Sequence, residues 1–288
     1  MSYVDLFGNV VEENLILTEK YIEPPFSVLD GRSQRWQQRK QKWKQMGLKS
    51  EEGRDAKAYE LQSLNAKAGR GEISDTSIFD PVLCEIIYTW YVEKGQKVLD
   101  CFAGGSVRGI VAGALEIKYT GIDIRQEQVE ANRQQAKELL PENNQPRWIV
   151  GDSEKVLDTI NEEFDFILSC PPYFNLEVYS DLDGDISNLQ DYGEFLVHYS
   201  NIINKTCSKL KKGGFACFVV GDIRDKKGNL LGFVPDTINI FKKAGLNFYN
   251  DAILLTPLGS AMLRANNTMK TKKLTKVHQY VLIFKKGE

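Results

Sequence analysis

The sequence lacks several features that mark particular classes of protein. No stretch reaches the roughly 18 consecutive apolar residues that a membrane-spanning helix needs, and the first residues, MSYVDLFGNVVEE, contain no basic segment leading into an apolar run. The five cysteines are scattered without the CxxC or CxxH spacing of metal sites and redox motifs. These absences predict a cytoplasmic protein with free thiols, no membrane span and no bound metal.

The chain is long enough to bury one sizeable core. It has 288 residues, of which 42% are apolar and only 9 are proline, and it contains no internal repeat. We therefore expect one catalytic domain with additions. Residues 1–70 are polar and predict an extended arm followed by a basic helix, with Trp36 and Trp43 on one helix face, and residues 71–288 predict the catalytic domain.

From Lys97 onward, short β-like runs alternate with helical segments, which is typical of a parallel sheet covered by helices. This pattern predicts an α/β fold with a seven-stranded, mostly parallel sheet. The last two strands are separated by about 20 residues with little apolar periodicity, which predicts an antiparallel hairpin with a long loop. The predicted strands are 97–101, 119–123, 147–151, 164–169, 215–222, 248–256 and 277–285. Helices are predicted at 78–93, capped by residues 75–77, and at 106–116, 126–140, 153–160, 191–210 and 234–244. The helix 191–210 is predicted to end at the basic and glycine residues 211–214.

A glycine-rich turn follows the first predicted strand, in the sequence DCFAGGSVRG. An α/β sheet binds nucleoside cofactors at such a turn, because glycine lets the ligand approach the backbone. The spacing Gly104-x-Ser106-x-x-Gly109 is only a degenerate GxGxxG, so the acids after the next two strands are needed to support it. Asp123 is placed to accept hydrogen bonds from both ribose hydroxyls, and Asp152 is placed to accept one from the adenine amino group.

The acid and the aromatic residue before the glycines distinguish between two nucleoside cofactors. A dinucleotide needs a tight pyrophosphate turn, whereas Asp100 and Phe102 better suit a cationic sulfonium and an ammonium group. The turn therefore favours S-adenosyl-L-methionine. The predicted contacts of this turn and its neighbours are Asp100, Phe102, Ala103, Gly104, Gly105, Asp123, Ile124, Asp152 and Ser153.

The fourth predicted strand leads directly into Cys170-Pro171-Pro172-Tyr173. Two prolines fix φ and supply no N–H group, so the carbonyls are held rigidly and an aromatic ring projects at the end of the strand. Rigid acceptors beside an aromatic plane suit a flipped nucleic-acid base, whose amino group donates while its ring stacks. The motif therefore predicts a reaction centre at Ser169, Cys170, Pro171, Pro172 and Tyr173.

With these motifs, the sequence resembles the DNA amino-methyltransferases, whose signature is Asp, Asn or Ser followed by Pro-Pro-Tyr or Pro-Pro-Phe. The resemblance extends from about residue 22 to residue 287. SIFDPVL looks like the helix start that precedes the donor motif in one subgroup, and HQYVLIFKKG looks like its closing strand. Three further segments look similar to bacteriophage-encoded DNA methylases: DCFAGGSVRGIVAG, SCPPYFNLEVYSD and VVGDIRDKKG. The resemblance implies a Rossmann-like methyltransferase fold, transfer of a methyl group to the exocyclic amine of adenine or cytosine in DNA, and donor contacts at Ser77, Phe79 and Asp80.

One position departs from this signature, because Cys170 stands where the family carries a side-chain oxygen. In the family's mechanism that oxygen accepts a proton from the target amine, and a thiol accepts hydrogen bonds poorly. Either Ser169 or the carbonyls at 170–171 replace it, or Cys170 acts as a thiolate nucleophile for methylation of cytosine carbon 5. The missing Pro-Cys motif favours the first reading. An RNA methyltransferase and a catalytically inactive nucleic-acid-binding protein are further alternatives.

Two basic regions flank a neutral to acidic middle, which predicts contact with a polyanion, here DNA. The segment 30–49 and the tail 264–288 each hold seven basic residues and one acid. The loop 257–276, which overlaps the start of this tail, is the best candidate for target recognition because it mixes basic residues with polar side chains. The acidic run 181–185 lacks the spacing of a calcium loop. The sequence leaves the oligomeric state of the protein open. The predicted DNA contacts are Arg32, Arg35, Arg39, Arg224, Arg264, Asn266, Lys270, Lys272 and Lys273.

Overall fold

The computed structural model describes residues 17–49, 79–174, 180, 182–259 and 261–287, and the backbone of residues 2–4 and 10–12. The N-terminal part contains β1 (Ser2–Val4), β2 (Val10–Glu12), α1 (Leu17–Tyr21), β3 (Val28–Asp30) and α2 (Gln34–Gln45). The central part contains α3 (Pro81–Tyr91), β4 (Lys97–Asp100), α4 (Val107–Ala114), β5 (Lys118–Asp123), α5 (Gln126–Leu139), β6 (Arg147–Val150), α6 (Ser153–Thr159) and β7 (Phe164–Ser169). The C-terminal part contains α7 (Tyr192–Ser208), β8 (Leu210–Val220), α8 (Phe233–Lys243), β9 (Leu246–Leu255), α9 (Ala261–Lys270) and β10 (His278–Lys286).

One mixed sheet organises the molecule, with the strand order β3-β9-β10-β8-β7-β4-β5-β6. The paired strands run parallel except β10, which is antiparallel to both of its neighbours. The predicted fold class is therefore confirmed: an α/β Rossmann-like fold whose antiparallel strand is the last one. β1 and β2 form a separate antiparallel pair.

The predicted strand number is wrong, because the large sheet has eight strands. The extra strand, β3, has three residues and pairs in parallel with the end of β9. It lies in a polar segment behind two prolines and is too short to show alternation. Only its pairing with a strand more than 200 residues away in the sequence makes it a strand.

Two apolar layers cover the faces of the sheet. The layer of α2, α3 and α4 packs around Val98, Phe166 and Val219, and the layer of α6, α7 and α8 packs around Ile167 and Phe218. Because helices cover both faces, the central strands are almost continuously apolar. None of the described helices is long and apolar enough to cross a bilayer.

Helix α2 packs against α3 and is part of the main core. Trp36 and Trp43 lie on one face of α2 and are buried, as their spacing predicts. The Trp36 indole N–H donates to Asp80 at 3.2 Å, and that of Trp43 donates to Glu85 at 2.9 Å. Arg39 makes two hydrogen bonds of 2.7 and 2.6 Å to the same Glu85 carboxylate. The helix is basic in sequence, but this arginine is bound within the fold.

Three local predictions need correction. Residues 211–214 do not end a helix, because β8 already begins at Leu210 and Gly213 takes a positive φ within it. The long loop between β9 and β10 contains α9, whose exposed surface removes the apolar periodicity that would have revealed it. Helix α3 is capped by Asp80, directly before Pro81 at its first turn, and the predicted cap at 75–77 lies outside the described residues.

We expect Trp36→Ala to lower the free energy of unfolding by about 3–5 kcal/mol, because it leaves a cavity between α2 and α3 and an unpaired lone pair on Asp80. Urea unfolding followed by circular dichroism measures the change. The control is Gln38→Ala, an exposed position on the same helix, which should shift stability by less than about 0.5 kcal/mol. Equal effects of the two substitutions would show that α2 is not packed on α3 in solution.

Candidate active site

The two sequence motifs meet at one edge of the sheet. The glycine-rich turn follows β4 and the CPPY motif follows β7, and these strands are paired in parallel, Val98 opposite Phe166 and Leu99 opposite Ile167. Parallel strands end at the same edge, where α/β sheets bind ligands. The turn and the motif therefore lie side by side, although about 70 residues separate them in the sequence.

A fully buried carboxylate, Asp100, ties this edge together. Its Oδ2 accepts hydrogen bonds from Arg108 Nε at 2.5 Å and from the Tyr119 hydroxyl at 2.7 Å. Its Oδ1 accepts from Ser169 Oγ at 2.6 Å and from the Phe102 backbone N–H at 3.1 Å. Asp100 thus links β4, β5, β7 and α4, and both of its oxygens are occupied by protein donors.

Arg108 is the partner that balances this buried charge, and the sequence analysis missed it. Its Nη2 donates to the carbonyls of Phe102 and Ala103, and its guanidinium lies 4.6 Å from the Phe79 ring centroid. Burial is the largest single influence on the pKa of Arg108 and lowers it, but the charge and hydrogen bond of Asp100, together with Tyr119 and Cys170, raise it on balance. The sequence signal was a lone charged residue inside the apolar run VRGIVAGA.

This network corrects the roles predicted for Asp100, Ser169 and Ser153. Asp100 does not face a ligand, because it has no exposed surface and four protein donors. Ser169 cannot accept a proton from a substrate amine, because its hydroxyl is buried and bonded to Asp100 and to the Phe102 N–H. Ser153 donates to the Cys101 carbonyl at 2.6 Å. All three side chains hold the turn in place.

Two other residues predicted to contact the methyl donor also have partners within the protein. Asp80 accepts from Val82 N–H as the cap of α3 and forms an ion pair with Lys40 at 2.9 Å. Phe79 packs against the core and covers the guanidinium of Arg108. Ser77 lies outside the described residues.

The glycine-rich turn has the shape that a ligand needs. Gly104 takes a φ of +51°, and no described atom lies within 4 Å of the place where a Cβ would stand. Its N–H donates to Asp123 Oδ2 at 2.8 Å, while Asp123 Oδ1 accepts from the Arg125 N–H at 2.9 Å. Asp123 is half-buried at the sheet edge, and this burial raises the pKa of its carboxyl group. Phe102, Gly105 and Ile124 are also half-buried here, and Ala103 is buried.

Asp152 caps α6 at the same edge, where its Oδ1 accepts from the Glu154 N–H at 2.8 Å. The acidic run after the reaction centre closes over it: a Cβ added to Gly184 would stand 3.0 Å from Asp152 Oδ2. Asp185 stabilises this loop by accepting from Ser180 and Ser187. The loop is therefore a cover on the Asp152 side of the site, and Asp181 lies outside the described residues.

The aromatic ring of the CPPY motif has a defined position. The Tyr173 hydroxyl accepts from Gln279 Nε2 at 2.7 Å, and its ring meets the Phe233 ring edge-on at 6.2 Å. Gly221, directly after β8, lies beside this ring, and an added Cβ would stand 3.6 Å from it, at ordinary contact distance. Gln279 was missed by the sequence analysis, where it appears only as a polar residue at the start of the closing strand.

Cys170 differs from the other cysteines of the chain, all five of which the structure describes as free thiols. Cys84, Cys101, Cys207 and Cys217 are buried, and burial raises the pKa of Cys101 to about 12. Cys170 is half-buried, with its Sγ 3.9 Å from the Tyr173 hydroxyl. The cysteine with exposed surface is thus the one in the reaction centre.

The two basic regions have different positions. In the N-terminal region, Arg32 pairs with Asp30 at 2.8 Å and Arg35 donates to the Thr18 carbonyl at 3.0 Å. β8 and β9 are both antiparallel to β10, so they run parallel to each other and end at the same edge of the sheet. The C-terminal region, which follows β9, therefore begins at the active-site edge. There Lys276 lies 3.4 Å from Asp222, which follows β8.

The predicted DNA contacts of the C-terminal region surround that edge. Lys273 packs on Gly228, and Arg224 donates to the Gly228 carbonyl at 2.7 Å, so the turn after β8 and the segment after α9 touch. Arg264, Asn266, Lys270 and Lys272 are exposed.

We expect Arg108→Met to destabilise the protein by about 3–5 kcal/mol, because it leaves the Asp100 carboxylate buried without its counter-charge. Adding Asp100→Asn should recover part of that loss, since the pair is coupled. Urea unfolding of the two single variants and the double variant measures this coupling. Additive losses would contradict a direct ion pair.

Comparison with known proteins shows that the C-terminal part of the chain is similar to a family of methylases. The family model described as DNA methylase, of the N6/N4 type, matches residues 164–288. That segment includes β7, the CPPY motif and the closing hairpin. No curated protein matches the chain.

Several solved structures match the chain at low sequence identity. A methyltransferase from Pyrococcus furiosus is 16% identical, with a TM-score of 0.48 and coverage of 81% of this chain and 98% of its own. TrmN from Thermus thermophilus is 17% identical, with a TM-score of 0.47 and coverage of 72% of this chain; this chain spans only 48% of the TrmN chain.

The family match confirms the resemblance to amino-methyltransferases that the motifs indicate, whereas the link to bacteriophages stays a prediction. Residues 164–288 carry the sequence features of the DNA methylase family.

Proposed function

We propose that this protein is an S-adenosyl-L-methionine-dependent DNA methyltransferase that modifies the exocyclic amine of adenine or cytosine in a flipped base. The observation that carries the proposal is the pairing of β4 with β7, which sets a nucleoside-type turn beside a CPPY motif. The buried Asp100–Ser169 hydrogen bond connects the two, so that one network positions both reactants.

The residues at the donor edge fit the methyl donor. The space beside the Cα of Gly104 would admit a ligand against the backbone. The carboxylate oxygens of Asp123 at the same edge can accept hydrogen bonds. Asp123 would accept from the ribose hydroxyls, and Asp152, under the cover of Gly184, would accept from the adenine amino group. The bound donor supplies an electrophilic methyl group on a sulfonium. Because Asp100 is neutralised by Arg108, it acts by shaping the turn.

The acceptor side would hold the target base and orient its amine. Tyr173 would stack on the flipped base, and Gln279 holds the ring plane through the hydroxyl. Carbonyl oxygens of the rigid 170–172 segment would accept hydrogen bonds from the amine and orient its lone pair toward the methyl group. The bound donor would supply the methyl group, and the proton lost by the amine on methylation would pass to water, while the carbonyls accept hydrogen bonds from the amine.

The charge distribution supports a nucleic-acid substrate. The loop 257–276 contains five basic residues and no acid, and it stands on the active-site edge. Such a surface binds phosphates through electrostatics that weaken with salt. The family match of residues 164–288 favours DNA over RNA.

The direct test uses donor labelled on the methyl group with unmodified DNA, followed by digestion and identification of the labelled nucleoside. We expect label in methylated adenine or in amino-methylated cytosine. Label found only in RNA, or in neither nucleic acid, would contradict the proposal.

Tyr173→Ala tests the acceptor side within the same assay. We expect kcat/KM for DNA to fall by about 5- to 150-fold, because base stacking on an aromatic ring contributes about 1–3 kcal/mol. Tyr173→Phe keeps the ring and is the matched control, with a loss below about 10-fold. Donor affinity, measured by calorimetry, should be unchanged in both. An equal loss in the two variants would exclude stacking as the role of Tyr173.

Cys170→Ser distinguishes the amine target from a cytosine ring target. If Cys170 only borders the pocket, activity survives at least in part, because a hydroxyl accepts hydrogen bonds better than a thiol. If the thiolate adds to the pyrimidine ring, turnover disappears, because no covalent adduct can form. The labelled nucleoside is identified for both proteins. Complete loss together with carbon-5-methylated cytosine in the wild type would overturn the amine assignment.

A further inference from the structure

Helix α8 begins without a capping side chain of its own. Its N-cap residue is Gly232, which takes a left-handed φ of 87°, so the N–H groups of the first turn need acceptors from elsewhere in the chain. Asp222, just beyond the end of β8, supplies one, because its Oδ1 accepts a hydrogen bond from the Val234 N–H at 3.2 Å. The helix dipole also stabilises a carboxylate at this position. Asp222 therefore fixes the start of α8 to the end of β8.

The start of α8 supports the aromatic ring of the reaction centre. Phe233, the first residue of α8, is fully buried. Its ring meets the ring of Tyr173 edge-on at 6.2 Å and lies 5.3 Å from the ring of Tyr199. Because Val234 is the next residue, its hydrogen bond to Asp222 also helps to fix the ring of Phe233. One side chain thus connects the Asp222 cap to the Tyr173 ring.

The second oxygen of Asp222 contacts the end of the candidate recognition loop. Asp222 Oδ2 lies 3.4 Å from the ammonium nitrogen of Lys276, the last residue of the loop 257–276. The side chain of Asp222 is 13% exposed and that of Lys276 is 30% exposed, so solvent screens this pair less than an ion pair on the open surface. Shortly after Lys276, Gln279 donates to the Tyr173 hydroxyl at 2.7 Å. The C-terminal end of the loop is therefore connected to the reaction centre through Asp222 and through Gln279.

We propose that Asp222 is a positioning residue that couples the position of the loop 257–276 on bound DNA to the orientation of the Tyr173 ring. This inference rests on the proposed function and deepens it. The loop holds five basic residues and no acid, and it binds the phosphates of the duplex. The ion pair between Lys276 and Asp222 passes the position of the bound loop to the start of α8, where Phe233 packs on Tyr173.

The sign of the charge on Asp222 distinguishes this role from a contact with DNA. A carboxylate beside a basic, phosphate-binding loop repels phosphates, so it lowers the affinity for DNA. The contribution of Asp222 is therefore to turnover, through the orientation of the base-binding ring.

Asp222→Asn tests the coupling, because it removes the charge and keeps an oxygen that can accept from the Val234 N–H. We expect kcat on DNA to fall by about 5- to 50-fold, the size of coupling found between residues in contact. The KM for DNA should stay the same or fall, since an acid is removed from a basic surface. Donor affinity, measured by calorimetry, should be unchanged. The melting temperature should fall by less than about 3 °C, because a partly exposed ion pair adds little stability.

Two further variants separate the ion pair from other effects of the substitution. Lys276→Met should lower kcat as Asp222→Asn does, with a higher KM because the loop loses a cation. The double variant should lose no more kcat than either single variant, since one interaction is removed only once. The matched control is Asp225→Asn, the same chemical change in the turn after β8. The Asp225 carboxylate accepts from the Asn229 N–H at 2.8 Å within that turn, and its replacement should leave kcat unchanged.

The outcomes distinguish this inference from the proposed function. A wild-type kcat in Asp222→Asn, losses that multiply in the double variant, an equal loss in Asp225→Asn, or a loss accompanied by weaker donor binding would each overturn the coupling while leaving methylation of DNA in place. A wild-type protein that methylates no DNA removes the proposed function and the coupling with it.

Discussion

The buried ion pair between Asp100 and Arg108 is the interaction on which the candidate site depends. A buried pair adds little net stability, because desolvation costs about as much as the attraction returns, but removing one partner is expensive. Its effect here is geometric. Through Tyr119, Ser169 and the carbonyls of the glycine-rich turn, the pair determines how three strands and one helix meet at the sheet edge.

The same network connects the two reactants of the proposed reaction. Ser169 ends β7 and donates to Asp100 at the end of β4, so that any shift of the turn would displace the CPPY segment. Beyond that segment, Phe174 takes a left-handed φ of 51° and is buried between the rings of Tyr192 and Phe195. Further along the chain, Gly184 lies against Asp152. The glycine-rich turn and the CPPY segment are thus connected by short-range contacts.

The two basic regions have the same net charge but different positions and partners in the fold. Their sequences carry the same excess of positive residues, yet Arg39 forms an ion pair with Glu85 that helps to hold α2 on α3. The C-terminal loop contains no acid and stands at the active-site edge. The proposed contact with DNA therefore belongs mainly to α9 and its flanks, and the N-terminal helix contributes to the fold.

Local patterns of the chain determined much of this protein. Alternating apolar runs and glycine-rich turns indicated the α/β sheet and its antiparallel last strand, and the CPPY motif indicated the family. Such features depend on periodicity and on residues close together in the sequence, which a single chain displays. Tertiary structure alone decided which polar groups are buried. It buried Asp100 and Ser169 in a hydrogen bond to each other and paired Arg39 with Glu85. It also brought Gln279 into hydrogen-bond contact with Tyr173, 106 positions away in the sequence. The availability of a carboxylate, a hydroxyl or a cation depends on partners that are distant in sequence, and only the folded chain brings them together.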